Sequence, residues 1–254
     1  MKVVILAGGL GTRISELTHS IPKPMVEIGG YPIIWHIMRY FSSFGHNDFI
    51  IALGYKGEVI KKYFRDYYLD NSNFTINLSD GNINYHSTSS LNWKVTLVDT
   101  GEKTMTGGRI KRLEEFLTEP FFLTYGDGLS DVDLNKLLEK HNTNRSLLTL
   151  TAIHPSSRYG KVEIGKDSRV EKFVEKPEFG GDWINGGYMV VEPDFIKTID
   201  GDNCILEKEP LEYVAKNKKL TAYKHDGFWQ CMDTLRDRNM LEDIWSSGKA
   251  KWKV

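Results

Sequence analysis

The sequence predicts an α/β fold: a mixed, mostly parallel sheet flanked by helices, with an elaborated C-terminal half. Three observations lead there. The chain opens on an all-apolar run, residues 3–6, of the kind that forms a strand buried on both faces. Strand-like and helix-like segments then alternate, as strand–helix–strand crossovers in a parallel sheet require. Beyond about residue 153 the alternation gives way to a hairpin and shorter elements. No repeat, low-complexity tract or linker divides the 254 residues, so one domain over 1–254 is the simplest account.

In order, the first strand (3–6) runs into a glycine-rich loop and an irregular stretch through Pro22 and Pro24. Ile33, Ile34, Ile37, Met38, Phe41 and Phe44 recur at helical spacing after Pro32, and Gly45 is a stop. Residues 49–53 form the second strand, and 56–67 a helix with Val59, Ile60, Tyr63, Phe64 and Tyr67 on one face. Residues 70–93 are polar and Asn/Ser-rich; weak strand signals at 74–78 and 83–86 make them an excursion at the sheet's edge. Strands at 95–98 and 121–124 flank a helix near 108–117, and a helix at 131–141 and a strand at 147–152 close the first half. Residues 161–164 and 169–174, separated by Gly165-Lys166-Asp167-Ser168, form a hairpin. A strand at 188–191, a helix after Pro193, a helix at 210–217, a strand at 220–223 and an amphipathic helix at 235–245 complete the chain.

Composition narrows the function. Apolar residues are 40%, charged residues 26% and the formal net charge is −1. That balance leaves no footprint for nucleic acid or an anionic membrane, so any cations that bind phosphate must be concentrated locally. Cys204 and Cys231 are the only cysteines, with no CxxC, which excludes a disulfide scaffold and disfavours a thiolate metal cage. The N-terminal apolar run stops at Gly8-Gly9, too short for a signal peptide or a membrane span, and the cytoplasm is the default location. The seven histidines show no HExxH or paired-ligand spacing, so no zinc site is expected.

Directly after the first strand comes Leu6-Ala7-Gly8-Gly9-Leu10-Gly11-Thr12-Arg13. Glycines let the backbone turn tightly and bring N–H groups close to an anion, and Arg13 adds a fork that suits phosphate oxygens. A dinucleotide fingerprint would need a third glycine where Ile14 stands, and an acidic residue where the second strand ends in Gly54-Tyr55-Lys56. A P-loop would need Gly-Lys-Ser/Thr, which is absent from the loop. A purely steric turn stays open on the loop alone. Pro22-Lys23-Pro24-Met25 tips the balance: proline restricts φ on both sides of Lys23 and holds it on a stiff segment shortly after the loop.

These blocks, with Thr18 and Pro32-Ile33, resemble the signature of the sugar nucleotidylyltransferases. The resemblance continues through Thr100-Gly101, Met105 to Arg109, Thr124 to Gly128, Glu175-Lys176-Pro177, Asn185-Gly186-Gly187 and Phe228 to Asp237, so it covers nearly the whole chain. Within the family it points to the members that join CTP to glucose 1-phosphate. It implies a Rossmann-like fold of the nucleotide-diphospho-sugar transferase type, with a nucleotide-binding half to about residue 152 and a sugar-phosphate-binding half over 153–254. It implies Mg²⁺ as cofactor, CTP and a sugar 1-phosphate as partners, and a homo-oligomer. The rivals are UTP or another sugar phosphate, an inactive relative that senses nucleotide sugars, and an NAD-binding module.

The chemistry the resemblance implies is attack of a sugar-phosphate oxygen on the α-phosphorus of the nucleotide, with pyrophosphate leaving in line. Both reactants are polyanions, and two unit charges ~4 Å apart repel by about 4 kcal/mol at an effective dielectric near 20. The nucleophile is already an anion, so positioning and charge neutralisation are the work, not general-base catalysis. Asp127 follows a strand end, where ligands of open α/β sheets bind; it and Asp233 are the implied magnesium ligands. A turn role for Asp127 and a helix N-cap for Asp233 are the ordinary alternatives. Arg13, Lys23 and Asp127 are the implied catalytic residues. Leu6, Ala7, Gly8, Gly9, Gly11, Thr12, Gly126 and Gly128 are implied nucleotide contacts. Gly160, Glu175, Lys176, Asn185, Gly186 and Gly187 would bind the sugar phosphate, although a turn at Gly160 and a strand bulge at 185–187 would explain those glycines without a ligand. Near Thr106 and Arg109 the chain lacks the glutamine- and proline-rich segment of thymidylyltransferases. A donor-only arginine fork there would suit the acceptor edge of cytosine, and a mismatched polar pair commonly costs ~1–3 kcal/mol.

Overall fold

The computed structural model describes the chain except residues 15–17, 89–90, 156–160, 165, 167 and 175–181, and except the side chains of Arg13, Thr88, Lys161, Glu163 and Val174. Strand β1 (Lys2–Ala7) leads through two single 3-10 turns to the short pair β2 (Glu27–Ile28) and β3 (Tyr31–Pro32). Helix α1 (Ile33–Ser43), β4 (Asp48–Leu53) and α2 (Gly57–Asp70) follow, then β5 (Ser72–Ile76), β6 (Ile83–Thr88) and β7 (Lys94–Asp99). Helix α3 (Thr106–Lys111), β8 (Phe121–Tyr125), β9 (Gly128–Ser130), α4 (Leu134–Asn144) and β10 (Leu148–Ile153) come next. The rest is β11 (Lys161–Ile164), β12 (Val170–Val174), β13 (Ile184–Val191), α5 (Glu209–Lys216), β14 (Leu220–His225), β15 (Trp229–Cys231) and α6 (Leu235–Ser246).

Seven strands form the central sheet in the order β14-β10-β13-β8-β1-β4-β7. Strand β13 runs antiparallel to both its neighbours, β8 and β10; every other pairing in the sheet is parallel. The expected mixed, mostly parallel sheet is what the chain builds.

Alternation along the inner strands divides the core into two layers. Val3, Ile5, Phe49, Ile51 and Phe122 face one way, against Ile33, Ile34, Ile37, Met38 and Phe41 of α1. Val4, Ile50, Ala52 and Leu123 face the other, against Ile110, Leu113, Phe195, Ile196 and Val214. Both faces of β1 are therefore dry, as its unbroken apolar run requires. Each large apolar side chain taken fully out of water contributes roughly 1.5–3 kcal/mol.

Four expectations change. Residues 72–88 do form strands, but β5 and β6 pair with each other rather than with the edge of the central sheet. The helix expected over 108–117 is shorter: α3 ends at Lys111, and a 3-10 turn at Glu114–Phe116 follows. Ile110, Leu113 and Leu117 are all buried, but across a break at 112–113, so their spacing imitates one helix. The helix expected at 131–141 starts at Leu134, capped by Asp133, whose carboxylate accepts from Lys136 N at 3.0 Å. The helix after Pro193 is a 3-10 segment, Pro193–Thr198. Among the described residues no helix is long and apolar enough to cross a membrane.

Candidate active site

Strand order reverses beside β1, which has β4 on one side and β8 on the other. In open α/β sheets that switch point opens a crevice at the carboxyl ends of the strands. A cleft of about 660 Å³ lies there, within the range of small-molecule sites. Its wall is built from the loop after β1 (6–12), Lys23 and Pro24, residues 102–106 with Arg109, then Tyr125, Gly126, Asp127 and Glu207. The expected contacts Leu6, Ala7, Gly8, Gly9, Gly11, Thr12, Lys23, Thr106, Arg109, Gly126 and Asp127 all line it. Arg13 has its backbone in the 3-10 turn Thr12–Ile14, whose first residue lines the cleft.

Lys23 is fixed by its neighbours. Pro22 sits at φ −71°, a 3-10 turn runs Lys23–Met25, and Met25 N donates to Pro22 O at 2.8 Å. Pro24 packs so closely on Gly126 that a Cβ there would lie 3.0 Å from Pro24 Cγ. The proline brace therefore docks on the loop after β8. From this base the ammonium of Lys23, only 9% exposed as a residue, donates to Asp127 Oδ2 at 2.5 Å and to Asp233 Oδ1 at 2.7 Å. Burial pulls its pKa down, but the nearby charges of Asp127 and Cys231 and the two hydrogen bonds outweigh that, so the ammonium is held above the ordinary lysine value.

Asp127 occupies the turn between β8 and β9, and its carbonyl accepts from Met232 N at 2.9 Å. Strand β15 pairs with β9, Cys231 opposite Gly128, and so carries Asp233 alongside. The N-cap of α6 is Thr234, not Asp233: Thr234 and Asp237 form a reciprocal capping box. With that duty met next door, the Asp233 carboxylate is turned to Lys23. Asp127, Cys231 and Asp233 each bring one ligand atom within 4.8 Å of the others, a group that could hold a metal ion.

Arg109 behaves differently. Its side chain is buried, with Nη1 donating to Leu53 O (2.9 Å), Thr100 Oγ1 (2.8 Å) and Gly101 O (2.7 Å). Nη2 donates to Gly8 O (2.9 Å) and Glu102 O (3.2 Å). A Cβ on Gly8 would fall 2.2 Å from the guanidinium carbon, which explains the glycine there. Both terminal nitrogens are thus spent on oxygens of this chain. Through these bonds Arg109, itself on the cleft wall, ties the first glycine loop to residues 100–102. Thr106 is similarly committed, donating to Glu207 Oε2 at 2.7 Å and accepting from Leu206 N at 2.9 Å. Tyr125 donates its phenol to the other oxygen of Glu207, and burial first, then the Glu207 charge, pushes its pKa far up.

A second cavity of about 250 Å³ lies across Asp127, lined by Thr124, Tyr125, Asp127, Gly128, Asn185, Gly186, Trp229, Cys231 and Asp233. Gly128, expected on the nucleotide side, lines this one instead. The strand bulge is real: register shifts between Leu150 and Ala152 opposite 185–189. Gly187 sits at φ +82° with Tyr125 Cδ2 2.6 Å from any Cβ it would carry. Asn185 Oδ1 accepts from Gly187 N, and Trp229 Nε1 donates to Gly186 O. Gly160, Glu175 and Lys176 lie outside the described residues. Glu207 and Cys231 were not singled out from sequence. Cys231 had one available signal: two residues before Asp233 on an extended segment, it shares that residue's side.

The model of the family described as nucleotidyl transferase matches residues 2–234. The chain belongs to that family. This nucleotidyl transferase is 49% identical over its full length to the glucose-1-phosphate cytidylyltransferase of Salmonella typhimurium, covering 99% of that protein. It is 41% identical to the probable glucose-1-phosphate cytidylyltransferase of Bacillus subtilis, over the whole of both chains. HddC from Yersinia pseudotuberculosis, solved in complex with GMP-PN, superposes with a TM-score of 0.69 at 26% identity, over 96% of this chain and 99% of that one.

Proposed function

We propose that this nucleotidyl transferase joins CTP to α-D-glucose 1-phosphate, releasing pyrophosphate and CDP-glucose. The observation that carries this is the end-to-end match, 49% identity over 100% of the chain, to a glucose-1-phosphate cytidylyltransferase. The two cavities meeting at Asp127 support it: a larger one for the triphosphate and a smaller one for the sugar phosphate. The halves 1–152 and 153–254 then serve nucleotide and sugar respectively. We place the activity in the cytoplasm and take the working form as a homo-oligomer.

The site fits Mg²⁺. Two carboxylates converge on one spot that already attracts a cation, the Lys23 ammonium, and magnesium needs only one or two protein carboxylates beside phosphate and water. Asp127 and Asp233 would hold it; when bound, it neutralises phosphate charge. The chain's own residues do the rest. The backbone of 8–12 and the cations Arg13 and Lys23 hold the triphosphate, Lys23 and Arg13 offsetting charge at the α-phosphate. Asn185, Gly186 and Trp229, with Gly160, Glu175 and Lys176, hold the sugar phosphate so that its oxygen enters opposite the departing pyrophosphate. A new P–O bond forms as the bond to pyrophosphate breaks, and no proton moves.

Pyrophosphate release, screened with four nucleoside triphosphates against a panel of sugar 1-phosphates in Mg²⁺, tests the reading. CTP with glucose 1-phosphate gives the highest kcat/KM. Activity confined to UTP overturns the base assignment, and silence with every pair favours a sensor.

A further inference from the structure

Two carboxylates facing each other across a half-buried pocket repel, and something must neutralise them when no ligand is present. Among the described residues, Lys23 stands between them. Lys23 Nζ lies 2.5 Å from Asp127 Oδ2 and 2.7 Å from Asp233 Oδ1. One ammonium bridges two carboxylates that, with Cys231, could also hold a metal ion. A second cation entering between these carboxylates meets the ammonium at close range, where like charges repel by several kcal/mol.

The backbone of Lys23 cannot retreat: it lies in the 3-10 turn behind Pro22, with Pro24 against Gly126. Its four-carbon stem can swing. Lys23 lines the same cleft as Gly8, Gly9 and Gly11, so an ammonium leaving the carboxylates stays within that cleft. Arg109, tied to five oxygens, has no such freedom.

Resting on the metal assignment made above, we infer that Lys23 is a built-in counter-ion of the Asp127–Asp233 pair, displaced by the incoming metal and handed to the nucleotide's phosphates. Metal and nucleotide therefore bind synergistically. The metal must evict an ammonium that gains a new partner only when the triphosphate is present. Lys23 acts here as a positioning residue toward the metal, apart from its contact with phosphate.

Mn²⁺ serves as the probe, its binding to nucleotide-free protein followed by the loss of the free-ion electron paramagnetic resonance signal. Lys23→Met is expected to bind Mn²⁺ at least tenfold tighter than wild type. Lys23→Gln does the same should the methionine variant fold poorly. Lys103→Met, which removes an exposed positive charge from the same cleft wall, changes the affinity less than twofold. Adding Asp127→Asn to Lys23→Met abolishes the gain. Equal Mn²⁺ affinity in wild type and both Lys23 variants, with binding still lost in Asp127→Asn, overturns the counter-ion inference alone. Binding indifferent to Asp127→Asn overturns the metal assignment and this inference with it. An equal gain in Lys103→Met reduces the effect to general electrostatics and also overturns it.

Discussion

Two walls of one cleft each bury a cation, and they do so with opposite chemistry. On the wall built from residues 102–109, Arg109 gives its donors to four backbone carbonyls and one hydroxyl, all neutral and all part of the architecture. On the wall that carries Asp127, Lys23 gives its protons to two carboxylates that, with Cys231, could hold a metal ion. Neutral acceptors with nowhere else to go make a permanent fixture. Charged acceptors that can trade partners make an exchangeable one. The distinction lies in what the cation touches, not in how deeply it is buried.

The comparison breaks first at Asp127. Asp127→Asn is expected to cut kcat roughly a hundred- to thousand-fold, the scale for losing one preorganised electrostatic contact at a reacting phosphate, with an unchanged far-ultraviolet dichroism spectrum. Wild-type turnover would remove the exchangeable role of that wall. Arg109→Ala should instead act on the scaffold. Several buried oxygens lose their donor, costing about 3–5 kcal/mol, read as a fall of roughly 10 °C in Tm. Because the guanidinium ties loops together, kcat/KM for CTP and for UTP should fall by one common factor. A change in their ratio would return Arg109 to the base edge. Thr106→Val deletes the hydroxyl shared by Glu207 and Leu206 N and is expected to cost about 1–2 kcal/mol in urea unfolding.

The smallest effect lies away from both walls and sets their acid baseline. Burial, with the N-terminal charge, lowers the pKa of His46 from 6.5 to about 4. A histidine depressed in the folded state contributes stability that is complete above its unfolded pKa and lost as pH falls from about 6.5 toward 4. Its partial exposure limits that to on the order of 1–2 kcal/mol. His46→Gln should flatten the urea midpoint across this window; an unchanged slope would assign the acid loss elsewhere.

How much was legible depended on how local the cause was. The strand β1 and the helix α1 follow from apolar spacing within a dozen residues, and their limits were close. Strands β9 and β15 were invisible: each has three residues, and each exists because the other, about a hundred positions away, pairs with it. The early end of α3 was hidden because Ile110 before the break, Leu113 in it and Leu117 beyond it are all buried, in helical register. In the site, the brace on Lys23 is written in Pro22 and Pro24, whereas its bond to Asp233 had no sequence signal, and Asp233 itself entered only through resemblance. The choice of Thr234 as cap settles in coordinates what spacing left open. The commitment of Arg109 to backbone carbonyls had no sequence signal, since an arginine carries no mark of which oxygens will surround it.

One reversed strand has a practical consequence. Because β13 runs against β8 and β10, its beginning, Asn185–Gly187, arrives at the rim where the other strands end. That stretch of the smaller cavity is thus part of the hydrogen-bonded framework, not a detachable connection. Reshaping that cavity by grafting connections from cousins would leave it untouched. Engineers would have to swap individual side chains, with Asn185 and Trp229 as the natural dials.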